Sequence, residues 1–162
     1  KCEVNQSLNL LIERNSKKKN ISVKVYKNEG RNVIGIYAKE IHKYKTDPKV
    51  NIKFKKSESG PSGGVIETLD IYNKITKSDV TKGYKIAGTG EIDESGKIST
   101  IGGVKYKLLG AEKAGADIFI VPKGDNYKEC KKIKEKRNLK IKIIGVSNFD
   151  ETLEKLKKLK NK

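Results

Sequence analysis

The stretch GVKYKLLGAEKAGADIFIV, residues 103–121, carries two hydrophobic periods in succession. From Gly103 to Ala114 the spacing predicts a helix. Val104, Lys107, Leu108, Ala111 and Ala114 fall in one stripe at about 100° per residue, with Lys105, Glu112 and Lys113 on the other side. From Asp117 to Val121 the residues are almost continuously apolar over the length of one strand, which predicts a strand buried on both faces. A helix feeding directly into a buried strand places the chain among the mixed helix-and-sheet classes, and the alternation of elements says α/β or α+β.

Working outward, Asn126 to Lys136 is predicted as a helix, Leu139 to Ile144 as a strand and Phe149 to Leu159 as a closing helix. Upstream, Tyr84 to Gly88 and Glu91 to Thr100 read as strands, the second folding about the turn Asp93-Glu94-Ser95-Gly96. Pro61 to Ile75 is helical, with Val65, Leu69, Tyr72 and Ile75 on one face and Glu67, Asp70 and Lys74 on the opposite face. Proline suits the first helical position, where the amide it lacks would be unpaired anyway. Val50, Ile52 and Phe54 alternate as a strand that ends in the polar loop Lys55 to Ser59. Residues 39–48 are charged and offer little to bury, which predicts a linker. Before it, Leu8, Leu10, Leu11 and Ile12 suit a short helix closed by Arg14-Asn15-Ser16. Ile21 to Tyr26 then reads as a strand, Asn28-Glu29-Gly30 as a turn and Asn32 to Tyr37 as a second strand. The organisation expected is a small module over 1–38, a linker over 39–48 and a larger domain over 49–162.

With 162 residues the chain can bury a core without disulfide staples. Methionine is absent, so the chain reads as processed or as a piece of a longer protein, whose preceding segment could hold a membrane anchor or another domain. No apolar run approaches the ~20 residues of a spanning helix. The net charge of +17 invites a nucleic-acid reading. Against it, arginine occurs only at Arg14, Arg31 and Arg137, and lysines are spread through every segment without aromatic partners. No nucleic-acid partner is expected. Cys2 and Cys130 stand at opposite ends with no pairing or metal-ligand spacing.

The chemistry is reached by elimination. The one histidine, His42, lies in the charged linker and reads as solvated, so a Ser-His-Asp triad has no base. A single histidine and two distant cysteines build no metal centre. No phosphate-binding G-x-x-x-x-G-K-[ST] loop occurs, and no cofactor is expected. What remains is Gly60-Pro61-Ser62-Gly63-Gly64 at the mouth of a helix. Glycines let a substrate backbone approach, and the amides of a first helical turn can donate to an oxyanion, which puts Gly60 and Gly63 forward as the backbone of such a site. Taken alone, the same residues also read as a turn that caps a helix. A serine hydroxyl needs a base, and with histidine excluded lysine is the substitute, because burial disfavours an ammonium ion. Lys107 is the lysine that shares a stripe with core residues. On its own it also reads as a side chain snorkelling from the stripe's edge.

Together these residues resemble the proteolytic domain of the Lon family. Gly60-Pro61-Ser62-Gly63-Gly64 is similar to its G-P-S-A-G motif, Thr89-Gly90-Glu91-Ile92 to its T-G-E-I strand, and Ile101-Gly102-Gly103-Val104 with Lys107 to its I-G-G-[LVI]-x-x-K motif. The resemblance covers roughly Lys49 to Leu159. It implies an α+β, Lon-type fold of mixed sheets packed with helices and a serine endopeptidase with a Ser62–Lys107 dyad, Thr89 helping to hold the lysine. Asp47-Pro48-Lys49-Val50, Tyr72-Asn73-Lys74 and Gly83 to Thr89 are similar to the bacterial ATP-independent Lon-like peptidases that are membrane-anchored and carry a PDZ module. That likeness implies a partial PDZ-like segment over 1–38, peptide or unfolded-protein substrates, assembly as a hexamer and a place on the extracytoplasmic face of the cell membrane. Gly63 departs from the family's alanine. Ser59 stands where the ATP-driven branch has an acid, and that branch's upstream histidines are missing. The competing reading is a non-catalytic peptide-binding or scaffold domain of the same fold.

Overall fold

The computed structural model describes residues 2–36, 45–52 and 60–162. Contacts divide the chain into two units, Lys1–Lys45 and Thr46–Lys162. His42, Tyr37, Phe54, most of the expected linker and the loop Lys55 to Ser59 lie outside the described residues.

The first unit holds two antiparallel hairpins. β1 (Ser7–Arg14) pairs with β2 (Lys17–Lys24), and β3 (Tyr26–Asn28) pairs with β4 (Arg31–Val33). The helix expected over Leu8 to Ile12 is therefore a strand. Leu8, Leu10 and Ile12 are half-buried on one face while Leu11, 67% exposed, points away, so the period is two. Asn15 and Ser16 both take positive φ, 52° and 58°, and form the two-residue loop between Arg14 and Lys17. Positive φ at both central residues matches the right-handed twist of the flanking strands, which is why this turn builds a hairpin and does not end a helix. Val25 is buried; its N–H donates to the Gln6 carbonyl and its carbonyl accepts from Asn5. The second expected strand stops at Val33, with Ile34 to Ile36 irregular.

In the second unit Val50 to Ile52 form no strand. A single 3₁₀ turn, Pro61–Gly63, leads into α1 (Gly64–Thr76). β5 (Ile86–Gly88), β8 (Ile118–Pro122) and β9 (Lys142–Val146) form a parallel sheet in the order β5-β8-β9. β6 (Glu91–Ile92) and β7 (Ile98–Ser99) make a small antiparallel hairpin. The helices that follow are α2 (Val104–Lys113), α3 (Asp125–Arg137) and α4 (Phe149–Lys157).

β8 is buried throughout, as a central parallel strand must be when helices cover both faces. Ile118 and Ile120 pack with Val65 and Leu69 of α1 and with Leu153 and Leu156 of α4. Phe119 and Val121 pack on the other face with Val104, Leu108 and Ala111 of α2 and with Cys130 of α3. The result is the expected arrangement of mixed sheets packed with helices. Two details differ from the wheel. Ala114 is the exposed C-cap of α2, and Ala116 takes the core place instead. Glu112 does not merely face solvent: its carboxylate accepts from the amides of Lys140 and Ile141, both at 3.0 Å. Those bonds engage the amides of Lys140 and Ile141 outside the sheet, and β9 begins at Lys142 and not at Leu139.

Candidate active site

In an open parallel sheet, ligands collect beyond the carboxyl ends of the strands. Thr89 follows the last residue of β5, and its amide donates to the Ile120 carbonyl of β8 at 2.9 Å. That bond pins the residue to the sheet. Its neighbour Gly88 lies where α1 crosses β5; a β-carbon there would stand 2.7 Å from Ile66 Cδ1 and 2.8 Å from the Ile120 carbonyl oxygen. Glycine is the residue that lets α1 lie this close to the strand.

The turn carrying Ser62 is fastened to the segment after β5 from several sides. Gly90 N–H donates to the Ser62 carbonyl at 2.8 Å, and Val65 N–H donates to the Gly90 carbonyl at 3.1 Å. The Thr89 hydroxyl donates to the Ser62 carbonyl at 2.9 Å. With its one proton so used, Thr89 Oγ1 offers a lone pair to Lys107 Nζ at 3.2 Å. Lys107 Nζ lies 2.6 Å from Ser62 Oγ. Ser62, Thr89 and Lys107 thus meet at one point, although 45 residues separate the serine from the lysine.

Lys107 is half-buried in the same helix whose Val104, Leu108 and Ala111 line the core. Lys105, two residues earlier, is exposed, its ammonium 5.7 Å from the ring centroid of the exposed Tyr106. The helix N-terminus that positions Lys107 is held by a residue the sequence reading passed over. Asn126, near the start of α3, is 7% exposed; its Oδ1 accepts from Ile101 N–H at 2.9 Å and its Nδ2 donates to the Ile101 carbonyl at 3.0 Å. An asparagine at a helix start reads from sequence as a cap, and nothing in the chain signals a reach of 25 residues back to a loop.

Glu67 also differs from expectation. Placed on the face opposite the core, it is half-buried, and its carboxyl lies over the α-carbon of Gly63. Burial raises its pKa above the ordinary carboxylate value. Gly60 is exposed at the entry to the 3₁₀ turn. Gly64 N–H donates to the Pro61 carbonyl and Val65 N–H to the Gly90 carbonyl, so these two amides of the turn are already engaged. Among the described residues no group of histidine, cysteine or acidic side chains could hold a metal ion.

A hydroxyl, an amine and a second hydroxyl converging beside the turn at a helix start are an arrangement with the groups that acyl transfer requires. The chain matches the model of the Lon protease (S16) C-terminal proteolytic domain over residues 37–158, and it belongs to that family. It is similar to the Lon protease of Clostridium acetobutylicum, 33% identical over 143 residues, covering 88% of this chain and 16% of that one. The Lon protease of Chloroflexus aggregans is 38% identical over 93 residues, 57% of this chain and 11% of that one. Lon protease 1 of Bacillus subtilis is 36% identical over 97 residues, 60% of this chain and 12% of that one. The chain therefore spans only a small part of the length of the curated relatives it matches.

Proposed function

We propose that the chain is an ATP-independent serine endopeptidase in which Ser62 is the nucleophile and Lys107 the general base. The observation that supports this most is the 2.6 Å separation of Lys107 Nζ and Ser62 Oγ, with Thr89 Oγ1 as the amine's second partner. As a free amine, Lys107 uses one N–H on Thr89 and turns its lone pair to the serine proton. Ser62 Oγ then bonds to the scissile carbonyl carbon while its proton passes to Lys107, and the oxyanion is met by backbone amides of the turn, with Gly60 and Gly63 put forward as donors. Collapse breaks the C–N bond, and the Lys107 ammonium gives its proton to the departing amine. Water attacks the ester carbonyl, loses a proton to Lys107, and the ester C–O bond breaks. Ser62 Oγ takes the proton back, and the free enzyme is restored.

The resemblance of Gly83 to Thr89 and of Tyr72-Asn73-Lys74 to the ATP-independent Lon-like peptidases supports a reaction at Ser62 that needs no nucleotide. The resemblance to membrane-anchored Lon-like peptidases supports a place on the extracytoplasmic face of a bacterial membrane, a PDZ-like identity for the first unit, peptide or unfolded-protein substrates and assembly as a hexamer. Fractionation of cells and the particle mass in sedimentation test the location and the assembly. The acylation step is tested by labelling with a fluorophosphonate and locating the adduct by mass spectrometry. The adduct is expected on Ser62 and to be lost in Lys107→Met; labelling elsewhere, or with equal speed in that variant, contradicts the reading.

A further inference from the structure

Gly63 follows the nucleophile at a position where the family's motif has alanine, and the neighbouring side chain supplies a physical reason. A β-carbon on Gly63 would lie 2.5 Å from Glu67 Oε1 and 3.4 Å from its carboxyl carbon. Residues 63 and 67 are one helical turn apart and share a face, so the missing methyl is the space the carboxyl occupies. The two positions behave as a matched pair: the chain gives up a side chain beside Ser62, and an acidic group moves in.

That carboxyl stands beside the turn that carries Ser62. Consecutive α-carbons are about 3.8 Å apart, so a group resting on the α-carbon of Gly63 is one residue from the nucleophile's backbone. On the peptidase reading, a peptide whose carbonyl is attacked by Ser62 Oγ lays its flanking residues along the same turn. The first turn of a helix ordinarily favours an ionised acid through the helix dipole. Here burial outweighs that, and the carboxyl is held above its usual value. A partly desolvated acid at the edge of a reaction site gains most from a cation delivered by the ligand. The surrounding chain, at +17, otherwise repels cationic peptides.

We propose that Glu67 forms an acidic subsite that takes a basic side chain of the substrate, a lysine or arginine next to the bond that is cut. This rests on the peptidase reading above, with Glu67 selecting among substrates and taking no part in the bond-breaking steps.

The test is cleavage of a peptide library randomised at each position around the cut, with kcat/KM compared for matched peptides carrying lysine, arginine, glutamine or norleucine at one position. One position is expected to favour the basic side chains by about tenfold or more over the neutral ones. The near-isosteric Glu67→Gln is expected to erase that ratio, and Glu67→Lys to invert it toward acidic side chains. In the unaltered protein the ratio should shrink as salt rises, which a purely structural role for Glu67 would not produce. Cleavage that depends on Ser62 but shows no basic preference, or one that survives Glu67→Gln, overturns the subsite and leaves the peptidase reading standing. If no peptide is cleaved in a Ser62-dependent way, both fall.

Discussion

Lys105 and Lys107 are the same chemical group two residues apart, yet one faces solvent beside Tyr106 and the other meets Ser62 and Thr89. Helical geometry separates them, because Lys107 shares the stripe of Val104, Leu108 and Ala111. Which of the two lysines turns toward the core was therefore legible in the sequence. Asn126 was not, since its two bonds to Ile101 arise only when α3 and the loop before α2 are folded together. Replacing it with alanine leaves a buried amide and carbonyl without partners and is expected to cost about 1–3 kcal/mol in denaturant unfolding. It should also lower kcat by loosening the helix start that aims Lys107. Thr89→Val removes both the bond to the Ser62 carbonyl and the lone pair offered to Lys107, and a loss of about tenfold or more in peptide cleavage is expected. Cys130 is buried in the core, where burial and the nearby Glu129 push its thiol up to about 12. Alkylation at neutral pH should mark Cys2, which is exposed, and reach Cys130 only when the protein unfolds.

At the scale of elements, long periodic segments were readable and short ones were not. α1, α2, α3, α4 and β8 each carry enough turns or enough continuous apolar sequence to declare themselves. The run from Leu8 to Ile12 satisfies both periods in five residues, and the deciding signal was the Asn15-Ser16 loop with its two positive φ angles. The start of α4 shows how an element's end sets its stability. Asn148 Oδ1 accepts from Glu151 N–H at 2.8 Å, and Glu151 Oε2 accepts from Ser147 N–H at 2.8 Å. Glu151 also binds Lys123 and Lys155. Burial raises its pKa, but the bonds from the two lysines and Ser147 outweigh that and hold it at about 2. A carboxyl depressed in the folded state stabilises it fully above the unfolded value near 4.3, and that contribution fades as pH falls toward 2. Glu151→Gln should accordingly cost about 2 kcal/mol at pH 7 and much less at pH 2, so the two proteins' unfolding midpoints converge in acid.

Over the second unit as a whole, β8 is the shared wall between two layers of core, and the site stands where that wall ends. Ile120 supplies its side chain to one layer and its carbonyl to Thr89, so core packing and the placement of Ser62 are mechanically linked. Leu108→Ala, at a site with no exposure, should cost about 2–5 kcal/mol and reduce activity through the tilt of α2 as well as through stability. The charge of +17, by contrast, comes from lysines spread along the whole sequence and says little about function. The account depends above all on Ser62 and Lys107 acting together. The most direct measurement is the cleavage rate of an unfolded protein by the unaltered chain and by Ser62→Ala, Lys107→Met and Lys105→Met. Ser62→Ala and Lys107→Met should each lose about a thousandfold or more, and Lys105→Met should keep the rate within about twofold. Full activity in Lys107→Met, or equal losses at Lys105 and Lys107, would contradict it.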